Sequence, residues 1–170
     1  LQYADNGAFL HIPNLEIANL PLLTNLSYCA FQECRTLRKV SAQSLTTIGS
    51  QVFSYCYWLS VIDFPNLTEI ITDFSHASYA PFEECINLTE IEFPNLIRID
   101  AKFGCFKNCY SLNTVNLENV KYICGSTFSN CTKLENVNIP TVEYLGGRAF
   151  YNTRIKTILL PNAREIGKEC

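Results

Sequence analysis

Residues 53–70, FSYCYWLSVIDFPNLTEI, contain one complete unit of the pattern on which this chain is built. Residues 82–99, FEECINLTEIEFPNLIRI, repeat it with Phe, Cys, Leu, Ile, Phe, Pro, Leu and Ile at identical places. Two copies with this agreement indicate a repeat protein, because a single unit of this size cannot bury its own apolar side chains and must stack on neighbours.

The repeat extends in both directions from these two copies. Five copies contain Phe-x-x-Cys-x-x-Leu and a degenerate copy flanks them on each side, so the motif phenylalanines are Phe9, Phe31, Phe53, Phe82, Phe106, Phe128 and Phe150. Their spacings are 22, 22, 29, 24, 22 and 22 residues, so the two long gaps are insertions in a fixed period. The last copy has Thr153 in place of Cys and is one residue short. We therefore expect about seven coils of about 22 residues each.

Each copy has the features of a strand, a corner and a return arc. In Ile62-Asp63-Phe64, apolar and polar residues alternate, as they do in a strand with one buried face. The proline that follows ends the strand because it has no N–H to donate. The remaining arc has room for no more than a turn or two of helix. The expected fold is a solenoid of mainly parallel β-structure with short helical or 3-10 return arcs.

Residues 1–170 are expected to form a single solenoid segment, since stacked copies share one core and no linker interrupts them. Neither end resembles the polar cap that closes such an array. Leu1 and Cys170 instead occupy ordinary repeat positions. We therefore expect the segment to be excised from a longer array.

Charge and hydropathy argue against two classes of partner. The formal net charge is −3 and no segment carries a Lys/Arg cluster, which argues against binding to nucleic acid. No uninterrupted apolar stretch reaches the roughly 18 residues of a bilayer crossing, so we expect no direct membrane insertion in this segment.

The nine cysteines and two histidines give little support to catalysis or metal binding. Five cysteines share one repeat position, where parallel neighbours lie too far apart for a disulfide, so we expect small buried hydrophobic side chains there. Cys105 lies outside that series and is the alternative candidate for a reactive thiol. No Cys-x-x-Cys pair, P-loop or nucleophile elbow occurs. We expect no enzyme, no cofactor and no metal.

The outward strand positions form the natural recognition surface of such a stack. In successive copies these positions are Ile17 and Asn19, Lys39 and Ser41, Val61 and Asp63, Glu90 and Glu92, Thr114 and Asn116, Asn136 and Asn138, and Thr157 and Leu159. The row is polar with an acidic centre, which suits hydrogen bonding to a protein or glycan, directly or through a cation. The alternative is a solvated sheet face that only keeps the protein soluble.

Trp58 is a second candidate for binding. It is the only tryptophan, and it occupies a position that is polar in the neighbouring copies, so we expect it to be at least partly exposed. Tyr57, Ile86 and Tyr110 occupy the preceding position in successive copies and form a possible apolar stripe beside it. Exposed aromatic residues are enriched at binding hot spots. The alternative is packing over an edge of the solenoid or over the insertion.

The larger insertion follows Ile70 and carries Phe74, His76 and Tyr79. Such insertions serve as recognition loops or are tolerated surface variation.

Asn-x-Ser/Thr sequons occur at Asn25, Asn66, Asn87 and Asn130 and would permit glycosylation.

The combined pattern Ala-Phe-x-x-Cys-x-x-Leu-x-x-Ile-x-(Phe/Ile)-Pro-x-Leu-x-x-Ile-Gly resembles the BspA-like, or treponemal-type, leucine-rich repeats over nearly the whole chain. The resemblance implies a leucine-rich-repeat solenoid of the α/β horseshoe-like class. It also implies an extracellular adhesive role, as a secreted or cell-surface protein that binds host extracellular matrix. Together with the outward strand positions, this predicts recognition of a host or matrix protein, or a glycan, through the concave strand face. It carries over no catalytic residues. An intracellular, cytoplasmic scaffold for protein–protein interaction remains the alternative, which unpaired cysteines permit.

Overall fold

The computed structural model of the chain describes residues 3–72, 80–101 and 104–170. Short parallel strands follow one another at repeat intervals in the order β1 (Tyr3–Ala4), β2 (Ile17–Asn19), β3 (Asn25–Leu26), β4 (Lys39–Ser41), β5 (Thr47–Ile48), β6 (Val61–Asp63), β7 (Glu69–Ile71), β8 (Glu90–Glu92), β9 (Arg98–Asp100), β10 (Thr114–Asn116), β11 (Tyr122–Ile123), β12 (Asn136–Asn138), β13 (Tyr144–Leu145) and β14 (Glu165–Ile166). The solenoid expected from the repeat period is confirmed.

The strands form two ladders along the stack. The back ladder is one eight-stranded sheet in the order β1-β3-β5-β7-β9-β11-β13-β14. The front ladder consists of two three-stranded sheets, β2-β4-β6 and β8-β10-β12. Pairing is parallel, and the register aligns equivalent repeat positions, as in Lys39 with Val61. The front strands are those expected from the alternating pattern, whereas the sequence did not indicate a second strand in each coil.

Six copies contribute a front strand, and the seventh does not. In β4 and β10 the central valine is buried and its two neighbours are more exposed, as the period-2 pattern requires. Residues 154–160 of the last copy form no strand. The expected placement of Thr157 and Leu159 on a strand face is therefore wrong. The physical reason is the missing residue after Thr153, which shifts the chain out of register with β12.

A continuous stack of phenylalanine rings forms the core behind the return arcs. Phe31, Phe53, Phe82, Phe106 and Phe128 are each fully buried. Successive ring centroids lie 5.5, 5.1, 4.8 and 5.5 Å apart with the rings nearly parallel. Such pairs contribute about 0.5–1.5 kcal/mol each beyond burial of their area. The stack continues through both insertions, so the insertions leave the core period intact.

The repeated cysteines are buried, as expected, but they also act as hydrogen-bond donors. Each thiol donates to the carbonyl oxygen of the motif phenylalanine in the preceding coil, at 2.9–3.2 Å. The donors are Cys34, Cys56, Cys85, Cys109 and Cys131. Burial raises the pKa of these thiols, that of Cys131 to about 12. In these five copies the position therefore combines a compact side chain with a hydrogen-bond donor.

The return arcs consist of turns, and the described residues contain no helix. The expectation of short helical or 3-10 arcs is therefore wrong. The second residue after each motif phenylalanine has positive φ, and these residues are His11, Glu33, Tyr55, Glu84, Asn108, Asn130 and Asn152. A left-handed residue interrupts the helical path. It turns the backbone N–H toward the next coil, as where Glu33 donates to the Ser54 oxygen at 2.9 Å.

Candidate functional site

The front ladder is interrupted between β6 and β8, and we call this interruption the central gap. Within each front sheet the coils are joined by backbone bonds, such as Ala42 N–H to the Asp63 oxygen at 3.0 Å. The N–H of Phe64 occupies the equivalent position one coil later. Within the described residues, no backbone hydrogen bond links it to Glu92. β6 and β8 are thus two facing strand edges.

Like charges flank the interruption. Continued pairing would place Asp63 directly beside Glu92, and like charges at directly opposed positions destabilise a sheet. Each carboxylate is instead bonded within its own sheet. Asp63 Oδ2 accepts from Gln43 Nε2 at 2.7 Å and from Ser41 Oγ at 3.1 Å. Glu92 Oε1 accepts from Asn116 Nδ2 at 3.4 Å.

The central gap is a cleft of about 300 Å³ with acidic sides and an apolar floor. Its acidic residues are Asp63, Glu90 and Glu92, and no lysine or arginine of the described residues lines it. Ile62 is only half-buried there, whereas its counterpart Ile91 is fully buried. The cleft can therefore accept a cationic or hydrogen-bond-donating group and cover apolar surface at the same time.

The structure brings together most of the predicted face residues. Val61, Asp63, Glu90 and Glu92 flank the central gap. Lys39 pairs beside Val61 in the first sheet. In the second sheet the register places Thr114 beside Asn136 and Asn116 beside Asn138. Asn138 Nδ2 donates to Asn116 Oδ1 at 2.8 Å, which gives that sheet a row of ordered amides.

Trp58 is 56% exposed, which confirms that the side chain is accessible. The guanidinium carbon of Arg38 lies 5.6 Å from its ring centroid, a cation–π distance. Two residues further on, Ser60 lines the central gap. Of the expected apolar stripe, Tyr57 and Ile86 are half-buried and Tyr110 is exposed. The stripe is therefore only partly available to a partner.

The four sequon asparagines differ in the hydrogen bonds that their side chains make. Asn66 Nδ2 donates to the Gln43 oxygen at 2.7 Å, Asn87 Nδ2 to the Tyr57 oxygen at 2.7 Å, and Asn130 Nδ2 to Asn108 Oδ1 at 2.9 Å. In the described residues the Asn25 amide nitrogen has no hydrogen-bond partner, and its Oδ1 accepts from Ser27 at 3.5 Å. Glycosylation at Asn25 would therefore break the fewest native contacts.

The insertion residues Phe74, His76 and Tyr79 lie outside the described residues. Ile71, just before them, is exposed, and Ala80, just after them, is buried. Their candidacy as a recognition loop thus stays a sequence-based prediction.

The alternative of a reactive thiol at Cys105 is wrong. Its side chain is fully buried, and burial raises the pKa of the thiol well above its ordinary value. Among the described residues, no three His, Cys, Asp or Glu side chains are arranged to hold a metal ion. The acidic centre therefore gives no support to recognition through a cation.

Sequence reasoning missed Gln43, which orients the acidic centre. Gln43 and the predicted face residue Ser41 both donate to Asp63 Oδ2, but Gln43 lies beyond the strand and fits no repeated polar position. The one available signal was acidic residues at equivalent places in consecutive copies, Asp63 and Glu92.

In the described part of the chain, the structure has no helix of the length and hydrophobicity that a bilayer crossing needs.

Comparison with known proteins gives the same architecture. A family model described as a BspA type leucine rich repeat region matches residues 1–79 and 77–170, in six copies. A leucine rich repeat protein of T. pallidum is 26% identical, with a TM-score of 0.73 over 93% of this chain and 72% of that one. A leucine-rich repeat protein from Bacteroides ovatus is also 26% identical, with a TM-score of 0.63 over 96% of this chain and 48% of that one.

A leucine rich cell surface protein from Faecalibacterium prausnitzii shares the fold at 23% identity. Its TM-score is 0.57 over 90% of this chain and 35% of that one. The chain thus spans about half of the Bacteroides protein and about a third of the Faecalibacterium protein. No curated protein matches the chain.

Proposed function

The chain belongs to the BspA-type leucine-rich repeat family, and from this premise we propose that it is a non-enzymatic recognition module displayed on a cell surface. BspA-type repeats are a kind of protein-interaction module. We propose that this module binds a host or extracellular-matrix protein through the outward residues of its front strands. The central gap is the centre of the proposed contact surface.

The observation that carries the proposal is the central gap itself. It combines a half-buried apolar residue, Ile62, with three carboxylates, and none of the described lysines or arginines lines the cleft beside them. A lysine or arginine side chain of a partner would place its cation between Asp63 and Glu92 and its methylene groups on Ile62 and Val61. Charge pairing of this kind gives an interface specificity and a faster association rate.

Two features beside the gap suit a protein partner. Trp58 offers an exposed aromatic ring that Arg38 already holds in place, and rigid aromatic side chains are enriched among binding hot spots. On the other side, the ordered amides of Asn116 and Asn138 offer hydrogen-bonding groups at fixed spacing. A partner spanning both features would cover the front face from β4 to β12.

Binding to a panel of immobilised matrix proteins tests the proposal. The double variant Glu90→Lys/Glu92→Lys reverses the charge of the gap, and Trp58→Ala removes the ring beside it. The matched control is Glu165→Lys, which makes the same kind of charge change on the back ladder. We expect each front variant to weaken binding at least tenfold and the control to leave it unchanged. Equal loss in the control, or no loss in either front variant, contradicts the assignment of the front face.

A second candidate, an intracellular scaffold using the same face, is favoured by one observation. All nine cysteines are free thiols, which is the usual state in a reducing compartment. Labelling of intact cells with an impermeant amine reagent separates the two proposals. Labelling of the protein before lysis supports surface display, whereas labelling only after lysis supports the scaffold.

A further inference from the structure

A second groove opens at the other end of the front face, between β12 and the seventh copy, and we call it the end groove. Its origin is the missing residue: Cys131-Thr-Lys-Leu134 in the sixth copy corresponds to Thr153-Arg-Ile155 in the seventh. Arg154 N–H still donates to the Leu134 oxygen at 2.9 Å, but residues 154–160 then run beside β12 without forming a strand.

The edge of β12 is consequently open. One coil earlier, the Asn113 oxygen accepts from the N–H groups of Glu135 and Asn136, both at 3.1 Å, and Leu117 N–H donates to the Asn138 oxygen at 2.9 Å. The equivalent groups toward the seventh copy are the Glu135 oxygen and the Ile139 N–H. Neither has a backbone partner among the described residues. These are the groups to which an added strand would bond.

The apolar side chain at the centre of β12 confirms that cover is missing. Val137 is only half-buried, whereas Val115, its counterpart in β10, is 1% exposed. Ile62 in β6, the other strand that lacks a front neighbour on that side, is half-buried in the same way. The loss of cover therefore follows the loss of the neighbouring strand.

Charge distinguishes the end groove from the central gap. The end groove has a volume of about 630 Å³, and its polar residues include Asn136, Asn138, Thr157, Glu135, Arg154 and Lys156. Neither Arg154 nor Lys156 forms an ion pair within the described residues, and together they outnumber the single carboxylate of Glu135. An occupant that brings one carboxylate to this pair would neutralise the excess positive charge.

We propose that the end groove binds an extended acidic segment of a partner protein, which adds to the β12 edge as a further strand. Its backbone bonds to the Ile139 N–H and the Glu135 oxygen, an apolar side chain covers Val137, and an acidic side chain lies between Arg154 and Lys156. This is strand addition to an open sheet edge, in which backbone bonds give affinity and side chains give specificity. The inference deepens the proposed protein-binding function but uses different residues from the central gap.

Fluorescein-labelled peptides provide the test on residues 1–170. The probes are Thr-Val-Thr-Asp-Thr-Val-Thr, the same peptide with Lys at the centre, and the Asp peptide with alternate backbone amides N-methylated. Binding is measured by fluorescence anisotropy to the unmodified protein, to Arg154→Glu/Lys156→Glu, and to the control Lys168→Glu. Hydrogen exchange of the Ile139 amide reports directly on the open edge.

We expect the Asp peptide to bind and to protect the Ile139 amide, N-methylation to abolish binding, and Arg154→Glu/Lys156→Glu to weaken binding at least tenfold. Lys168→Glu should leave it unchanged. No binding of the Asp peptide at millimolar concentration overturns the proposal, as does binding that survives N-methylation. Glycans that bind in a manner sensitive to Arg154→Glu, where the peptide does not bind, assign the groove to glycan recognition and also overturn it.

The same assay separates this inference from the proposed function. The Asp peptide should bind Glu90→Lys/Glu92→Lys as well as it binds the unmodified protein. If that variant keeps its binding to matrix proteins, the central-gap assignment fails while the end groove stands. If the Asp peptide alone fails, the end groove is wrong and the central gap is unaffected.

Discussion

The third and fourth coils, which begin at Phe53 and Phe82, meet differently on the two faces of the solenoid. On the back, β7 pairs with β9 in unbroken register, with Glu69 directly beside Arg98. On the front, β6 does not pair with β8, and continued pairing would place Asp63 beside Glu92. The same two coils, with the same core and the same insertion, are therefore closed where opposite charges meet and open where like charges meet.

From this difference we infer that the core sets the period of the stack and that outward side chains decide whether each ladder continues. Phe53 and Phe82 remain in contact across this step, and Cys85 still donates to the Phe53 oxygen at 3.2 Å. On the back, the Asp100 carboxylate, which Arg98 contacts at 2.6 Å, raises the pKa of the Arg98 guanidinium, and Tyr122 and then Glu69 raise it by less. Single pairs of this kind contribute about 0.2–1 kcal/mol, which is enough to bias a short strand.

Alkaline pH should produce the largest change in stability. It acts on the buried cysteine thiols of the return arcs, which hold the third and fourth coils together. Burial raises the folded-state pKa of thiols such as Cys85 and Cys131, whereas the unfolded thiol has a pKa of about 8.5. Below that pH the thiols are protonated in both the folded and the unfolded state, so the free energy of unfolding does not change with their titration. Above it the unfolded chain loses protons that the folded chain keeps, so the free energy of unfolding falls as pH rises toward the folded pKa, about 12 for Cys131.

The expected slope approaches about 1.4 kcal/mol per pH unit for each buried thiol. Urea denaturation in a reducing buffer between about pH 7.5 and 10 measures it. The variant Cys85→Ala/Cys131→Ala should have a slope smaller by the contribution of two thiols. A slope that the double variant does not change would show that other groups control alkaline stability.

Substitution of Phe82→Ala tests whether the core holds the third and fourth coils together. The ring stacks on both Phe53 and Phe106, so its removal should lower the free energy of unfolding by about 3–5 kcal/mol. Hydrogen exchange should show that the Ile97 amide, which bonds to the Thr68 oxygen on the back, loses protection. Phe9→Ala, at a half-buried ring, is the control and should cost less. Unchanged protection at Ile97 would mean that the back ladder closes without the core.

Placing opposite charges beside each other on the front and like charges beside each other on the back should stabilise the front ladder and destabilise the back ladder. Glu92→Lys places a cation beside Asp63 and should stabilise the chain by about 0.2–1 kcal/mol, whereas Glu69→Lys places one beside Arg98 and should destabilise it by a similar amount. Urea denaturation gives the free energies, with Glu165→Lys as control. The Phe64 amide should gain exchange protection in Glu92→Lys. The same sign of change in both variants would contradict the charge explanation.

Salt should have the smallest effect. Raising NaCl from about 0.05 to 0.5 M shortens the screening length and weakens repulsion between Asp63 and Glu92. Protection of the Phe64 amide should rise by an amount equivalent to less than about 0.5 kcal/mol. In Glu92→Lys the same change should lower the protection, because it screens an attraction. Equal responses in the two proteins would rule out charge as the cause of the gap.

The sequence predicted the features that many copies share. Five matching Phe-x-x-Cys-x-x-Leu motifs set the period and the buried positions, and alternation around Ile62 and Ile91 located front strands. The back strands were missed because many contain only two residues, as in Asn25–Leu26, and two residues show no periodicity. The turns in the arcs were missed because left-handed residues such as Glu33 and Tyr55 carry no glycine signal.

The candidate site was predicted only in part. The positions of Asp63, Glu90 and Glu92 on one face followed from the alternating pattern, as did the exposure of Trp58. The interruption between β6 and β8 depends on interactions between coils, which repeat spacing alone does not encode. The end groove depends on how the chain continues after a deletion, and a missing residue predicts a defect without predicting its shape.

The left-handed residues of the arcs identify where a designed array could be improved. A non-glycine side chain in that conformation costs about 1–2 kcal/mol, and asparagine adopts it more readily than most residues. The last coils already use asparagine, and Asn130 and Asn152 each donate to the amide oxygen of the asparagine before them at 2.9 and 3.1 Å. An engineer who continued this amide row back to Glu84, Tyr55 and Glu33 would obtain a uniform scaffold whose two faces could be redesigned separately.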